Sequence, residues 1–318
     1  SLLITEKEGR LQHVDPARGT RGLIEGLPES VKRGQGGLMD VRPHPDFESN
    51  QWLYLTYSIA MGDAFATRAA RARLENGRLE NLQVLFTAAP ARGSGRHFGS
   101  DMVFDHAGYL YITSGERGSR PMIQDLSNHL GKIIRLHDDG RVPDDNPFVG
   151  INGARPEIFS LGHRNPQGIA IDPVTGVLWS VEHGPRGGDE LNRIEAGKNY
   201  GWPVITYGEE YRGGKIGEGT HKEGMEQPVH YYVPSIATSG LAFYDGDAFP
   251  AWRGNAFIGA LVMTHVNRLV LDNGRVVHEE RLLEDWNLRI RDVETAADGS
   301  LYVLADNGPL LKLSPPDS

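Results

Sequence analysis

The sequence predicts an all-β fold, a six-bladed β-propeller, and three observations lead there. A short alternating strand pattern recurs: LLIT at 2–5, LYLT at 53–56, LYIT at 110–113, LWSV at 178–181, AFIG at 256–259 and LYVL at 301–304. The units are spaced by roughly 45 to 80 residues, near the length of a four-stranded blade with its loops. The chain also carries 40 glycines and 19 prolines and shows no sustained helical period, as expected where turns dominate.

Taken in order, each unit has its own justification. LLIT lies in LLITEKEGRL, which reads as the middle of a β-hairpin, so the chain is expected to be trimmed at its N-terminus, with any export signal removed. LYIT, LWSV and LYVL follow the turns DHAG, DPVTG and AADGS, where glycine supplies the positive φ of a tight hairpin. The first unit begins abruptly and the last ends the chain, so residues 1–318 are read as one propeller domain whose first and last blades adjoin. Such closure removes exposed sheet edges.

Composition excludes several functions. A formal net charge of -9 argues against nucleic-acid binding, which needs a basic face. No apolar run approaches the roughly 18 residues that span a bilayer, so membrane insertion is not expected. Zero cysteines exclude thiol catalysis, thiolate metal sites and disulfides, and suit a periplasm or a cytosol equally.

Five segments place polar groups just before apolar runs that read as inner strands. They are RGQGGLMDV with Gln35, SGRHFGSDMVF with Arg96 and His97, GHRNPQGIAI with Arg164 and Asn165, PSIATSGLAF with Ser235, and NLRIRDVETA with Arg289 and Arg291. In a closed ring these positions meet at the axis, gathering one histidine and several arginines in an acidic protein. The planar fork of arginine suits carboxylates and phosphates, so the implied ligand is a polyanion. The histidine can act as a base near neutral pH. The alternatives are a surface His–Arg pair and, for Arg289 and Arg291, an exposed strand face. His44 and Trp202 read as corner-packing residues.

The segment SVEHGPRGGDELNRIEAGKNYGWPVI is too long and irregular for a simple turn. Its Gly-Pro-x-Gly-Gly run exposes backbone carbonyls, and Asp189 and Glu190 offer the hard oxygens calcium prefers. It lacks the regular acidic spacing of an EF-hand, and a plain Ω-loop is the other reading.

The stretches GLMDVRPHPDFESNQWLYLTYS, LGHRNPQGIAIDP, SVEHGPRGGDELNRIEAGKNYGWP and RIRDV followed by DGSLYVL together resemble the soluble aldose sugar dehydrogenases that use pyrroloquinoline quinone (PQQ), relatives of soluble quinoprotein glucose dehydrogenase. The resemblance runs through nearly the whole chain in order. It implies a six-bladed propeller that oxidises the C1 hydroxyl of aldoses to the lactone, with hydride transfer to calcium-bound PQQ and electrons passed to an external acceptor.

By the same resemblance, His97 is the general base and Gln35, Arg164, Asn165 and Ser235 face the cofactor. Arg289 and Arg291 hold a cofactor carboxylate and polarise the quinone. The carbonyls of Gly184 and Pro185 match ligands of the active-site calcium, and backbone oxygens at Glu190 and Tyr200 those of a structural one. Two positions depart from the glucose enzymes: Val262 stands where they carry a cofactor-contacting lysine, and Arg96 where they carry an aspartate that orients the histidine. The resemblance further implies a periplasmic or secreted monomer or dimer. A calcium-dependent lactonase and a non-catalytic propeller that binds a partner remain as rivals.

Overall fold

The computed structural model of the chain describes residues 1–296, 298–306 and 308–315. Two compact units emerge, Ser1–Leu161 and Gly162–Ser318, each carrying three antiparallel sheets. In the first unit β1 (Leu2–Glu6), β2 (Arg10–Asp15) and β3 (Thr20–Ile24) form one sheet. A second sheet joins β4 (Leu38–Pro43), β5 (Trp52–Met61), β6 (Ala64–Glu75) and β7 (Arg78–Thr87). The third holds β8 (Gly99–Phe104), β9 (Tyr109–Ser114), β10 (Lys132–His137) and β11 (Ile158–Leu161).

The second unit repeats the plan. Its first sheet is β12 (Pro166–Ile171), β13 (Leu178–Glu182), β14 (Asp189–Ile194) and β15 (His230–Tyr232). Its second is β16 (Thr238–Phe243), β17 (Ala256–Ala260), β18 (Val266–Asp272) and β19 (Arg275–Leu282), and its third β20 (Ile290–Thr295), β21 (Leu301–Ala305) and β22 (Leu310–Leu313). The six sheets are the blades of a six-bladed β-propeller, the fold class read from the sequence.

Five of the six repeated tetrapeptides are second strands of their sheets, and LLIT opens β1. The second strands are paired on both sides and buried on both faces, so their apolar content is the most regular signal in the chain. The turns before them are closed by aspartate. Asp105 accepts the N–H groups of Ala107 and Tyr109, each at 2.9 Å, and Asp172 accepts that of Val174 at 2.9 Å. These are the local bonds that make Asp-Gly turns competitive with continued strand.

A feature the alternation did not disclose repeats in all five sheets that begin with a polar segment. The pairing of first with second strand slips at its start: between Leu38 and Asp40, Gly99 and Met102, Pro166 and Gly168, Thr238 and Leu241, and Ile290 and Asp292. Each slip is a bulge with one extra residue on the first strand. Bulges bend the strand and re-aim side chains, and they concentrate beside functional sites. In three sheets an aspartate sits at the bulge and accepts the next residue's N–H, Asp40 from Val41 at 2.7 Å, Asp101 from Met102 at 2.9 Å and Asp292 from Val293 at 2.9 Å.

Apolar faces of neighbouring sheets fill the core within each unit. Tyr54, Met102, Ile112 and Ile134 pack together in the first, and Trp179, Leu241, Phe243 and Ile258 in the second. In the second unit β12 packs on β16 and β16 on β20. Glycine permits that approach, since a Cβ on Gly168 would lie 2.7 Å from the Ser239 carbonyl oxygen.

One charged group lies wholly inside the first unit. The Lys132 ammonium, at the start of β10, donates to the carbonyls of Ile123 at 2.8 Å and Leu130 at 2.7 Å, pinning the long loop between β9 and β10. Burial pushes its pKa down to about 7 from 10.5. Between those values the unfolded chain binds a proton that the folded chain has shed, so stability rises with pH across that window. Comparing urea unfolding of the wild type and Lys132→Met at pH 7 and pH 10 should show the wild type gaining on the order of 3 kcal/mol relative to the variant at the higher pH. Equal pH responses in both proteins would contradict this.

Candidate active site

In the first unit the geometry centres on His97, two residues before β8. Its imidazole Nδ1 lies 2.7 Å from Glu116 Oε1, and both side chains are buried. A carboxylate only accepts, so Nδ1 carries the proton and Nε2 is the acceptor nitrogen. His97 has a left-handed backbone, φ +55°, which costs a non-glycine residue about 1–2 kcal/mol and persists only where neighbours hold it. Gln35 is one such neighbour, its side-chain oxygen accepting the His97 N–H at 2.6 Å. The structure thus brings Gln35 and His97 together, through the histidine's backbone. The Arg96 side chain is exposed, and the carboxylate that orients His97 comes from Glu116 rather than from position 96.

The second unit carries the same device. His163 Nδ1 lies 2.9 Å from Glu182 Oε1, the partners again 19 positions apart, and Glu182 Oε2 accepts the Arg164 N–H at 2.6 Å. His163 is fully enclosed and stacks on Tyr200, whereas the side chain of His97 keeps 11% of its surface exposed. Of the two, only His97 can meet a ligand.

Arg164 is buried with its guanidinium over the Trp202 ring, 5.3 Å from the centroid. Nη1 donates to the carbonyls of His183 at 3.1 Å and Gly184 at 2.8 Å, while the buried Nε has no partner. Trp202 therefore does more than pack a corner. Asn165 is buried beside it, its Oδ1 accepting from Gln167 at 3.4 Å.

The Gly-Pro-x-Gly-Gly loop curls tightly on itself, and a Cβ on Gly184 would lie 2.2 Å from the Gly187 carbonyl oxygen. The Pro185 carbonyl accepts no hydrogen bond among the described residues, although the residue is buried. Asp189 is not available as a metal ligand, which corrects the reading from composition. Its oxygens accept Ser235 Oγ at 2.7 and 2.8 Å, Ala237 N at 2.7 Å and Gly184 N at 2.9 Å. Ser235 consequently donates its hydroxyl proton inside the protein and serves to fix this loop.

Glu190 stands opposite Glu182 in the ladder between β13 and β14. Burial, and then the Glu182 charge, push its carboxyl up to about 8. Arg164, Gly184, Glu190, Tyr200 and Trp202 line one small cavity. The cavity thus adjoins Gly184, expected at the active-site calcium, and Glu190 and Tyr200, expected at the structural one.

Arg289 and Arg291 share a counter-ion that sequence reading missed. Both reach Asp306 Oδ2, at 3.4 and 3.3 Å, and Arg289 Nη1 also donates to the Leu261 carbonyl at 3.0 Å. Arg291 is the extra residue of its bulge, so the pair does not follow simple alternation along β20. Both side chains are about half exposed and retain N–H groups without partners among the described residues. Val262, 59% exposed, adjoins the carbonyl that Arg289 holds. For Glu116 a signal existed, the His–Glu spacing that recurs at 163 and 182; Asp306 offers none.

Comparison with known proteins identifies the family. The family described as glucose/sorbosone dehydrogenase matches residues 1–312. The aldose sugar dehydrogenase YliI of Escherichia coli is 46% identical over 99% of this chain and 86% of its own. The apo-form crystal structure of the soluble aldose sugar dehydrogenase from Escherichia coli superposes with a TM-score of 0.96 at 45% identity, covering 99% of this chain and 92% of that one. The PQQ-bound aldose sugar dehydrogenase of Streptomyces coelicolor superposes with a TM-score of 0.80 at 27% identity, covering 96% and 84%. The chain belongs to the glucose/sorbosone dehydrogenase family and is a sugar-oxidising enzyme of the aldose sugar dehydrogenase type.

Proposed function

We propose that the enzyme oxidises the C1 hydroxyl of aldoses to the lactone with PQQ and calcium, and that His97 is its base. The observation that carries this reading is the buried 2.7 Å hydrogen bond from His97 Nδ1 to Glu116. It orients the ring, fixes Nε2 as the proton acceptor and stabilises the imidazolium once the sugar hydroxyl proton has moved to Nε2.

The donor set fits a polyanionic cofactor. Arg164 has a buried guanidinium N–H with no partner, and Arg289 and Arg291 present open forks steadied by Asp306. These residues, with Gln35 and Asn165, would hold PQQ, a reading supported by the PQQ-bound Streptomyces relative. Ser235 would act indirectly, through Asp189 and the loop of Gly184.

Calcium fits the backbone rather than the side chains. The unclaimed carbonyl of Pro185 and the second lone pair of the Gly184 carbonyl would hold the active-site ion, with remaining ligands from cofactor and water. Backbone oxygens of Glu190 and Tyr200 would hold the structural ion. When bound, PQQ supplies the two-electron acceptor, and calcium raises its electrophilicity. A lactonase would need side-chain carboxylates and asparagines converging on a metal and has no call for three arginines such as Arg164, Arg289 and Arg291. No helix among the described residues is long and apolar enough to cross a membrane. From the family resemblance we propose that the enzyme works in the periplasm or outside the cell, passing electrons to an external acceptor, as monomer or dimer.

His97→Gln should lower kcat by about 10²–10⁴ while PQQ binding, followed by absorbance titration, is retained. Undiminished turnover on saturating glucose would remove His97 as the base. Arg289→Ala should weaken PQQ binding by about tenfold or more, because a charge-assisted contact to a carboxylate is lost; unchanged affinity would contradict the role given to that arginine.

A further inference from the structure

Arg117 follows Glu116 directly and is almost wholly buried. Every arm of its guanidinium is engaged by backbone. Nε donates to the Arg96 carbonyl at 3.0 Å, Nη1 to the Phe65 carbonyl at 2.9 Å, and Nη2 to the Ser94 carbonyl. The flat face of the group covers the Phe98 ring, 3.5 Å from its centroid.

These partners bracket His97. Carbonyls one and three residues before it and the aromatic ring one residue after it all close on one cation. The fourth contact, Phe65, ties the bracket to β6. Thr67, also on β6, adds a bond from its hydroxyl to the Phe98 carbonyl at 2.9 Å.

The chemistry of arginine suits this place. Only a guanidinium offers donors in three in-plane directions together with a face that stacks on a ring. Among the described residues no carboxylate pairs with it; carbonyl dipoles and the Phe98 π-face take the place of water around the cation. The backbone it grips includes the left-handed His97, and Arg117 itself has φ +53°. Such conformations hold only where surrounding contacts over-determine them.

We propose that Arg117 is a positioning residue for His97: its guanidinium locks the backbone on both sides of the histidine while the adjacent Glu116 locks the ring. The two neighbours divide one task, and a single loop delivers both. This inference rests on the reading of His97 as the base. Without the bracket, residues 94–98 relax and the imidazole leaves the register in which it meets Glu116.

The test uses Arg117→Met and Arg117→Lys, neither of which can make all three in-plane bonds. In the apo-protein, proton NMR should show a downfield Nδ1–H resonance from the His97–Glu116 bond, identified by its loss in Glu116→Gln. We expect it to broaden or vanish in both Arg117 variants. With PQQ and calcium added, kcat should fall about tenfold or more, with the sugar KM within about threefold of the parent. A folded Arg117→Met with parental kcat would overturn the proposal, as would a loss of kcat or of Tm with the downfield resonance unchanged. Should Arg117→Met fail to fold, Arg117→Lys is judged on the same two readouts. Failure of the base reading is separable: it would show as full turnover in His97→Gln, whereas the resonance reports on the bracket in the absence of catalysis.

Discussion

The slip of one residue at the start of five first strands is the constraint from which the candidate site follows. A regular strand would send alternate side chains to opposite faces and leave the segment before it as an ordinary connection. The extra residue bends the strand away from its partner and lets the preceding residues turn out of the sheet. Gln35, His97, Arg164, Ser235 and Arg289 all lie within a few residues of such a slip. The bulge leaves backbone groups to satisfy, and the aspartates at 40, 101 and 292 do so with their own carboxylates. Structural and functional residues therefore sit side by side in these short segments, with distinct partners.

Held cations are the second theme. In a chain of net charge -9, Arg164, Arg289 and Arg291 are fixed by carbonyls, a ring or a shared aspartate, and among the described residues no carboxylate bonds the Arg164 guanidinium. Carbonyl dipoles orient a guanidinium without neutralising it, which leaves its charge available to an anion. The carboxylates Glu116 and Glu182 are instead committed to histidines 19 residues earlier, and Asp189 to backbone and Ser235. Glu116, Glu182 and Asp189 thus work within the scaffold, whereas Arg289 and Arg291 stay about half exposed.

Much of this was legible before any coordinates. The second strands announced themselves because burial on both faces demands unbroken apolar runs, and the Asp-Gly turns because their bonds are local. The five polar segments were found by position, since each precedes a first strand. What stayed hidden depends on residues far apart in sequence. Asp306 reveals nothing about Arg289 and Arg291 until β20 and β21 pair, and Ser235 reads as a ligand until Asp189 lies against it. Arg96 gives no sign in the chain of what orients the histidine, because Glu116 arrives from beyond β9. The bulges escaped because a one-residue slip leaves the apolar pattern of the second strand unchanged.

Dye-coupled oxidation of glucose by the purified apo-protein, with PQQ and calcium supplied separately and together, tests the central claim most directly. Turnover that requires both additions is the expected result, since the arginine forks and the Pro185 and Gly184 carbonyls call for an anionic cofactor and a hard cation at once. Absence of turnover with every aldose tried, together with no PQQ binding by titration, would contradict it.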